Sequence, residues 1–207
     1  MARGRPGLSK TDYVTAALDF IDEHGMDPLT MRALGEKMGV DPTAVYRHYP
    51  NKDDLVLAVC DRVFEGLVAS MPGPEVEPRA RIHGIAVIAR DTFRRHPHVT
   101  SAIVNSTGYM ENGFAYSRTA AQAIVDLGVP DDRVAVVYQM FEGYIIGSSL
   151  QDFTSSPHNW AIRRARYRAL DLPQFDAVSG SDEAVRDVAD AAFLATLDAI
   201  LDSAVAR

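Results

Sequence analysis

The chain has 207 residues, 47% of them hydrophobic and 24% charged, with a formal net charge of -7 and a single cysteine. These values suit a globular protein of one or two domains with a proper core, and they exclude a disordered chain, a polycationic nucleic-acid coat and a disulfide scaffold. No run reaches the about 18 apolar residues of a membrane span, and MARGRPGLSK lacks the apolar stretch of a secretion signal, so a cytoplasmic protein with no membrane partner is expected.

Residues 1–8 carry Arg3 and Arg5 in an Arg-Gly-Arg-Pro run, with Lys10 following and no acid among them. Such a run reads either as an arm that lays arginines along a narrow minor groove or as a plain polar tail. Ser9 to His24 is the first predicted helix. Ser9 and Asp12 hold its N-cap and N3 places, Val14, Ala17, Leu18 and Ile21 form its apolar stripe, and Gly25 ends it.

The stretch Leu29 to Lys52, LTMRALGEKMGVDPTAVYRHYPNK, reads as helix, tight turn, helix and helix start. Thr30 can cap a helix whose apolar residues Met31, Leu34 and Met38 share one face. Gly39 suits the left-handed place after a helix, and Asp41-Pro42 supplies an N-cap followed by proline at the first helical position. Two short helices joined by a Gly-containing turn are the sequence form of a helix-turn-helix, whose second helix enters the DNA major groove. On that second helix Val45 and Tyr49 face inward, which leaves Ala44, Arg47 and His48 on the outer face. Arginine can grip guanine, alanine can touch a thymine methyl, and Thr43 can reach a base edge or a phosphate. Read alone, the same pattern also fits a short solvated helix between two longer ones.

Asn51 caps the next helix, Lys52 to about Ser70, with Asp53 and Asp54 in its first turn and Leu55, Val59, Val63 and Leu67 as its stripe. Cys60 lies at helical spacing among valines and reads as a core thiol rather than a redox sensor. Residues 71–78 hold three prolines and a glycine, a loop at which a second part begins near Arg79. The helix Lys52 to Ser70 is then expected to be the one covalent route between the two parts.

The remainder reads as helices with no strand-like alternation: Arg79 to His96, Val99 to Val104, about Met110 to Leu127, Asp131 to Asp152, a segment around Trp160 and Arg163 to Arg168, and Asp182 to Val205, with Leu172 to Ser181 a loop. Small residues Gly143, Gly147 and Ser148, with Val188, Ala192, Ala195 and Ala199 on the last helix, mark either a dimer interface or ordinary core packing. Phe93, Tyr109, Met110, Phe114, Tyr138, Phe141 and Tyr144 can line an apolar cavity, with His98, Gln139 or Glu142 as polar anchors, or serve simply as core. His96 and His98 flank Pro97 without a cysteine or acidic cluster to complete a zinc site, and no phosphate-loop, dinucleotide or nucleophile-elbow motif is present, so no metal, no cofactor and no enzymatic activity is expected.

Taken together, Ser9 to about Leu67 resembles the TetR family of transcriptional regulators. The resemblance rests on Ala16-Ala17-Leu18, Gly25, Leu29-Thr30-Met31-Arg32-Ala33-Leu34-Gly35, Lys37-Met38-Gly39-Val40, Val45-Tyr46-Arg47-His48-Tyr49, Asn51-Lys52 and Leu55. Departures are Gly35 for the usual alanine, Val45 for leucine, Tyr49 for phenylalanine, and Pro50 in the turn. The resemblance covers about the first third of the chain. It implies an all-α fold: an arm and three-helix DNA-binding domain with its helix-turn-helix over residues 1–53, then a helical ligand-binding and dimerisation domain over 54–207. It implies phosphate contacts from Tyr46 and Lys52, to which Thr30 and Arg32 can add, and a homodimer through a four-helix bundle of the helices at Asp131 and Asp182. The partners implied are a double-stranded, pseudopalindromic DNA operator and a small-molecule effector, apolar or aromatic, that releases a repressor. The alternatives are a helical small-molecule binding protein without operator binding and an all-α enzyme using His96, His98 and Glu142.

Overall fold

The computed structural model describes residues 8–152 and 157–205, and among these every regular element is helical. The helices are α1 Lys10–His24, α2 Met31–Met38, α3 Pro42–Tyr46, α4 Lys52–Ser70, α5 Pro78–Arg95, α6 Pro97–Asn105, α7 Glu111–Asp126, α8 Asp131–Asp152, α9 Pro157–Ala169 and α10 Asp182–Val205, with a 3-10 turn at Pro173–Phe175. Arg3 and Arg5 lie outside the described residues. The loop expected over 172–181 thus contains a turn of 3-10 helix, started by Pro173.

The helices divide into two compact units, the first running to Ser70 with Arg95–Ser117 added, the second comprising Met71–Arg94 and Arg118 onward. The chain therefore passes between units inside α5 and α7 as well as after α4, and α4 is not the single covalent route that the sequence suggested. The 53/54 division drawn from the sequence falls in the first turn of α4, whereas α4 packs with α1 and α6 in the first unit. Its first turn follows the short α3 without a spacer long enough to separate them, so α4 shares one core with the helices before it.

That core is built from the inward stripes of α1 to α4 and α6. Ala17, Ile21, Leu29, Leu34, Val45, Leu55, Val59 and Val99 are all fully enclosed. Burying a Leu or Ile side chain contributes about 1.5 to 3 kcal/mol against the entropy of ordering it. The starts of α1 and α2 are capped by side chains. The Ser9 hydroxyl accepts from the Asp12 amide while the Asp12 carboxylate accepts from the Ser9 amide, and the Thr30 hydroxyl accepts from the Ala33 amide at 3.0 Å.

In the second unit α10 packs against both α8 and α9. Phe93, Ile124, Val137, Phe141, Ile145 and Leu197 are buried there, while Trp160, Val178 and Val185 form a smaller cluster under α9. Ion pairs tie α5 to its neighbours: Arg79 meets Asp198 and Asp202 at 2.8 Å each, Arg90 meets Asp190 at 2.8 Å, and buried Arg81 meets Asp126.

Candidate functional site

The helix-turn-helix is set by backbone chemistry. Gly39 adopts φ 67° and ψ 33°, the left-handed conformation that costs a side chain energy, and this stops α2. Gly35 has a second role. A Cβ there would stand 3.0 Å from the Val40 carbonyl oxygen, and the Val40 amide already donates to the Gly35 carbonyl at 2.9 Å, so the missing side chain lets the turn fold back tightly on α2. Asp41 then caps α3: its carboxylate accepts from the Thr43 amide at 2.8 Å and the Thr43 hydroxyl at 2.6 Å, which holds its pKa below the usual aspartate value.

Val45 and Tyr49 point inward. Thr43, Tyr46 and Arg47 are exposed and Ala44 is half-buried; the Arg47 backbone amide donates to the Thr43 carbonyl at 3.2 Å, while among the described residues no hydrogen bond engages its guanidinium. Tyr46 is 53% exposed, an unusual state for an aromatic side chain, and it stands beside Arg47 on a surface with donors free for a ligand. His48 is placed differently from the sequence expectation. Its amide and that of Tyr49 both donate to the Val45 carbonyl at 3.0 Å, so the chain tightens after Tyr46 and turns the His48 ring onto buried Tyr13, with ring centroids 4.9 Å apart. The outward face is accordingly Thr43, Ala44, Tyr46 and Arg47.

Around it stand further cations. Thr30 and Arg32 are exposed at the start of α2, and Arg32 pairs with Glu36 at 2.9 Å, a surface pair that competes weakly with any other anion. Lys52, the first residue of α4, donates to the Met26 carbonyl at 3.0 Å. That bond fixes the ammonium near the α1–α2 connection and leaves two of its protons for other acceptors. Lys10 is a cation that the reading of α1 left out of the site. Its ammonium lies 5.7 Å from the Tyr49 ring centre, and the Tyr49 hydroxyl donates to its carbonyl. The acid-free start of the chain was the available signal for it.

The residues expected to bind an effector fall in both units. In the first, His98 is exposed with its ring against Gly25, Met110 is half-buried, and Tyr109 and Phe114 are 72% and 54% exposed and stacked with centroids 5.0 Å apart. In the second, Phe93 and Phe141 are buried, Gln139 is exposed, and the Tyr138 hydroxyl donates to Glu142 at 3.0 Å. Tyr144 lines a cavity of about 300 Å³ together with Gly143, Gly147, Ser148, Val188 and Ala192. Tyr144 is thereby brought together with five of the seven small or apolar residues expected at a dimer interface. Ala195 and Ala199 continue the same exposed side of α10, and on α8 Val136 and Met140 are exposed while open space surrounds Gly143 and Gly147. Among the described residues no group of three or more His, Cys, Asp or Glu is placed to hold a metal ion, and no helix is long and apolar enough to cross a membrane.

The family model described as bacterial regulatory proteins, tetR family, matches residues 14–59, the stretch from α1 into α4. Over 204 residues the chain is 26% identical to the tetracycline repressor protein class A from transposon 1721 of Escherichia coli, covering 97% of this chain and 92% of that one. It is 23% identical over 145 residues to the HTH-type transcriptional repressor DrrR1 of Streptomyces coeruleorubidus, covering 70% of this chain and spanning about half, 54%, of that relative. Among solved structures it resembles BioQ with its natural double-stranded DNA operator, at a TM-score of 0.63 and 25% identity, covering 75% of this chain and 94% of that one.

Proposed function

Because the chain belongs to the TetR family of bacterial regulatory proteins, we propose that it is a cytoplasmic, ligand-responsive transcriptional repressor that binds a pseudopalindromic operator as a homodimer, without enzymatic activity. The observation that carries this reading is the α2–α3 pair. Gly39, Asp41 and Pro42 fix the turn, Val45 anchors α3 in the core, and Thr43, Ala44, Tyr46 and Arg47 are left facing outward. Arg47 reads a guanine edge, while Lys52, Tyr46, Thr30 and Arg32 hold phosphates, with Lys10 and the arginines of the arm adding charge. A net charge of -7 means that affinity depends on this local placement of cations. Similarity to proteins whose names include a tetracycline repressor and a DrrR1 repressor supports the negative sign of regulation.

Dimerisation through the exposed small-residue sides of α8 and α10 places two α3 helices to read two half-sites about one helical turn apart. An apolar or aromatic molecule in the helical part, using aromatic residues such as Phe93, Phe141 and Tyr144, acts as inducer by changing the separation of the two reading helices. Two fixed half-sites cannot follow such a change. Fluorescence anisotropy with DNA from the chain's own upstream region tests the reading: nanomolar binding that survives excess random DNA is expected, and affinity equal to that for random DNA would leave only a helical small-molecule binding protein.

A further inference from the structure

The first unit contains a groove of about 510 Å³ that the operator-binding surface does not use. It runs between the N-terminal half of α4 and the end of α6 with the loop that follows. Leu57, Cys60 and Ala102 form its apolar floor, Asp53 and Asp54 stand on one rim, and Asn105 to Gly108 form the other. The loop closes tightly at one end: a Cβ on Gly108 would lie 2.6 Å from the Leu57 side chain and would push that side chain aside.

Charge is what distinguishes this groove. None of the side chains lining it is basic. Burial pushes the Cys60 thiol up to about 12, so it lines the floor as a neutral, apolar group. The remaining charges are the two carboxylates in the first turn of α4, where the helix dipole favours anions. Asp54 is held in place by Asn51: its backbone amide donates to the Asn51 side-chain oxygen at 2.8 Å, and one of its carboxylate oxygens accepts from the Asn51 amide group at 3.0 Å. Among the described residues no hydrogen bond or ion pair engages the Asp53 carboxylate. Asp53 is therefore the lining carboxylate wholly open to an occupant, and Asp54 keeps one oxygen open beside it.

We propose that this groove binds a small organic cation, an ammonium carried on a short apolar chain. An anion would meet like charge on the rim. A neutral apolar molecule would desolvate the carboxylates and return nothing for it. An ammonium donates to Asp53 while its methylenes lie on Leu57 and Ala102, and the volume falls within the range of small-molecule sites. Binding there has a consequence of definite sign. Asp53 directly follows Lys52, so a bound cation reduces the repulsion between the start of α4 and DNA phosphate. It strengthens operator binding by about two- to threefold at low salt, and the effect fades as salt rises. An inducer acts in the opposite direction. This second half rests on the operator-binding function proposed above, whereas occupancy of the groove does not.

The test uses the full chain and hexylammonium, with hexanol, hexanoate and methylammonium as matched controls, followed by calorimetry. Hexylammonium is expected to bind at least tenfold more tightly than hexanol or methylammonium, and hexanoate not at all. Asp53→Asn, at an exposed position, should lower hexylammonium affinity about tenfold and leave hexanol unchanged. Thr107→Trp, which fills the groove from the exposed loop, should remove the advantage of hexylammonium over methylammonium. Equal binding of hexylammonium and hexanol, an Asp53→Asn protein with undiminished affinity, or methylammonium binding as tightly as hexylammonium would each overturn the proposal. Anisotropy with operator DNA then separates the two claims. Ammonium binding without any specific DNA binding rejects the regulatory function and keeps the groove, and specific DNA binding without ammonium binding does the reverse.

Discussion

Asp61 on α4 caps the start of α7 through Asn112. One carboxylate oxygen accepts from the Asn112 backbone amide at 2.7 Å, and the other accepts from its side-chain amide at 2.8 Å. The first turn of a helix leaves its amides without intrahelical partners, and here one is satisfied by a residue 51 positions earlier rather than by a local cap. The contact fastens α4, whose first residue is Lys52, to a helix that continues beyond Ser117 into the second unit. Asp61→Ala leaves these donors unsatisfied and should destabilise the protein by about 1 to 3 kcal/mol, read by urea unfolding. A change of only a few tenths would show that water replaces the carboxylate without loss.

The reader face predicts two different DNA phenotypes. Arg47→Ala should cost about 1 to 3 kcal/mol and relax preference at one operator position, because a bidentate guanine contact carries sequence information. Lys52→Ala should weaken binding to every sequence and reduce the salt slope by about 1, as loss of one phosphate contact requires. Anisotropy titrations at several salt concentrations, on operator variants and random DNA, distinguish them; a uniform loss for Arg47→Ala would remove it from the base-reading role. His48→Ala should act through stability instead, since its ring packs on Tyr13.

The exposed sides of α8 and α10 predict a dimer sensitive to single charges. Open space surrounds Gly147, and Ala195 is exposed, so a glutamate at either place fits the isolated chain and is buried without a partner in the dimer. Sedimentation at micromolar concentration should show a dimer for the wild type and a monomer of unchanged helix content for Gly147→Glu. A wild-type monomer would contradict the bundle.

Acid should destabilise the fold through its capping and paired carboxylates. Asp12 is held below its ordinary value by the Ser9 amide and hydroxyl, Asp41 by Thr43, Asp126 chiefly by Arg81, and Asp198 chiefly by Arg79. A carboxylate with a lowered folded pKa binds fewer protons when folded than when unfolded, so its contribution is fully present well above 3.8 and is lost as pH falls through the lowered folded values. Unfolding free energy should therefore be flat in these groups near neutrality and decline below about pH 4 to 5. Asp12→Asn should make that decline shallower. An unchanged acid slope in this variant would remove the Ser9–Asp12 box from the account.

Much of the fold was legible because the deciding interactions are local. Ser9 with Asp12, Thr30, Gly39, Asp41 with Pro42, and Asn51 each act within four residues, and the helices they start or stop are found where those residues lie. Pro130 and Asp182 likewise mark the starts of α8 and α10. What was not legible depends on distant partners. The turn of His48 onto Tyr13, the bond from Lys52 to Met26, and the cap that Asp61 places on α7 join residues 26 to 51 positions apart, and no periodicity encodes them. The aromatic residues around α6 to α8 could be named from their types. Their partition between units, with Tyr109 and Phe114 in one and Phe93, Phe141 and Tyr144 in the other, follows only from how the chain recrosses inside α5 and α7.

The proposed repressor function requires that two copies of α3 read a paired DNA site. In vitro selection from random double-stranded DNA with the full chain, read by sequencing, tests it most directly. Enrichment of a pseudopalindrome with half-site centres about one helical turn apart is expected, lost when Arg47 and Lys52 are both replaced by alanine. A selected pool indistinguishable from the starting library, at salt low enough for phosphate contacts to hold, would contradict it.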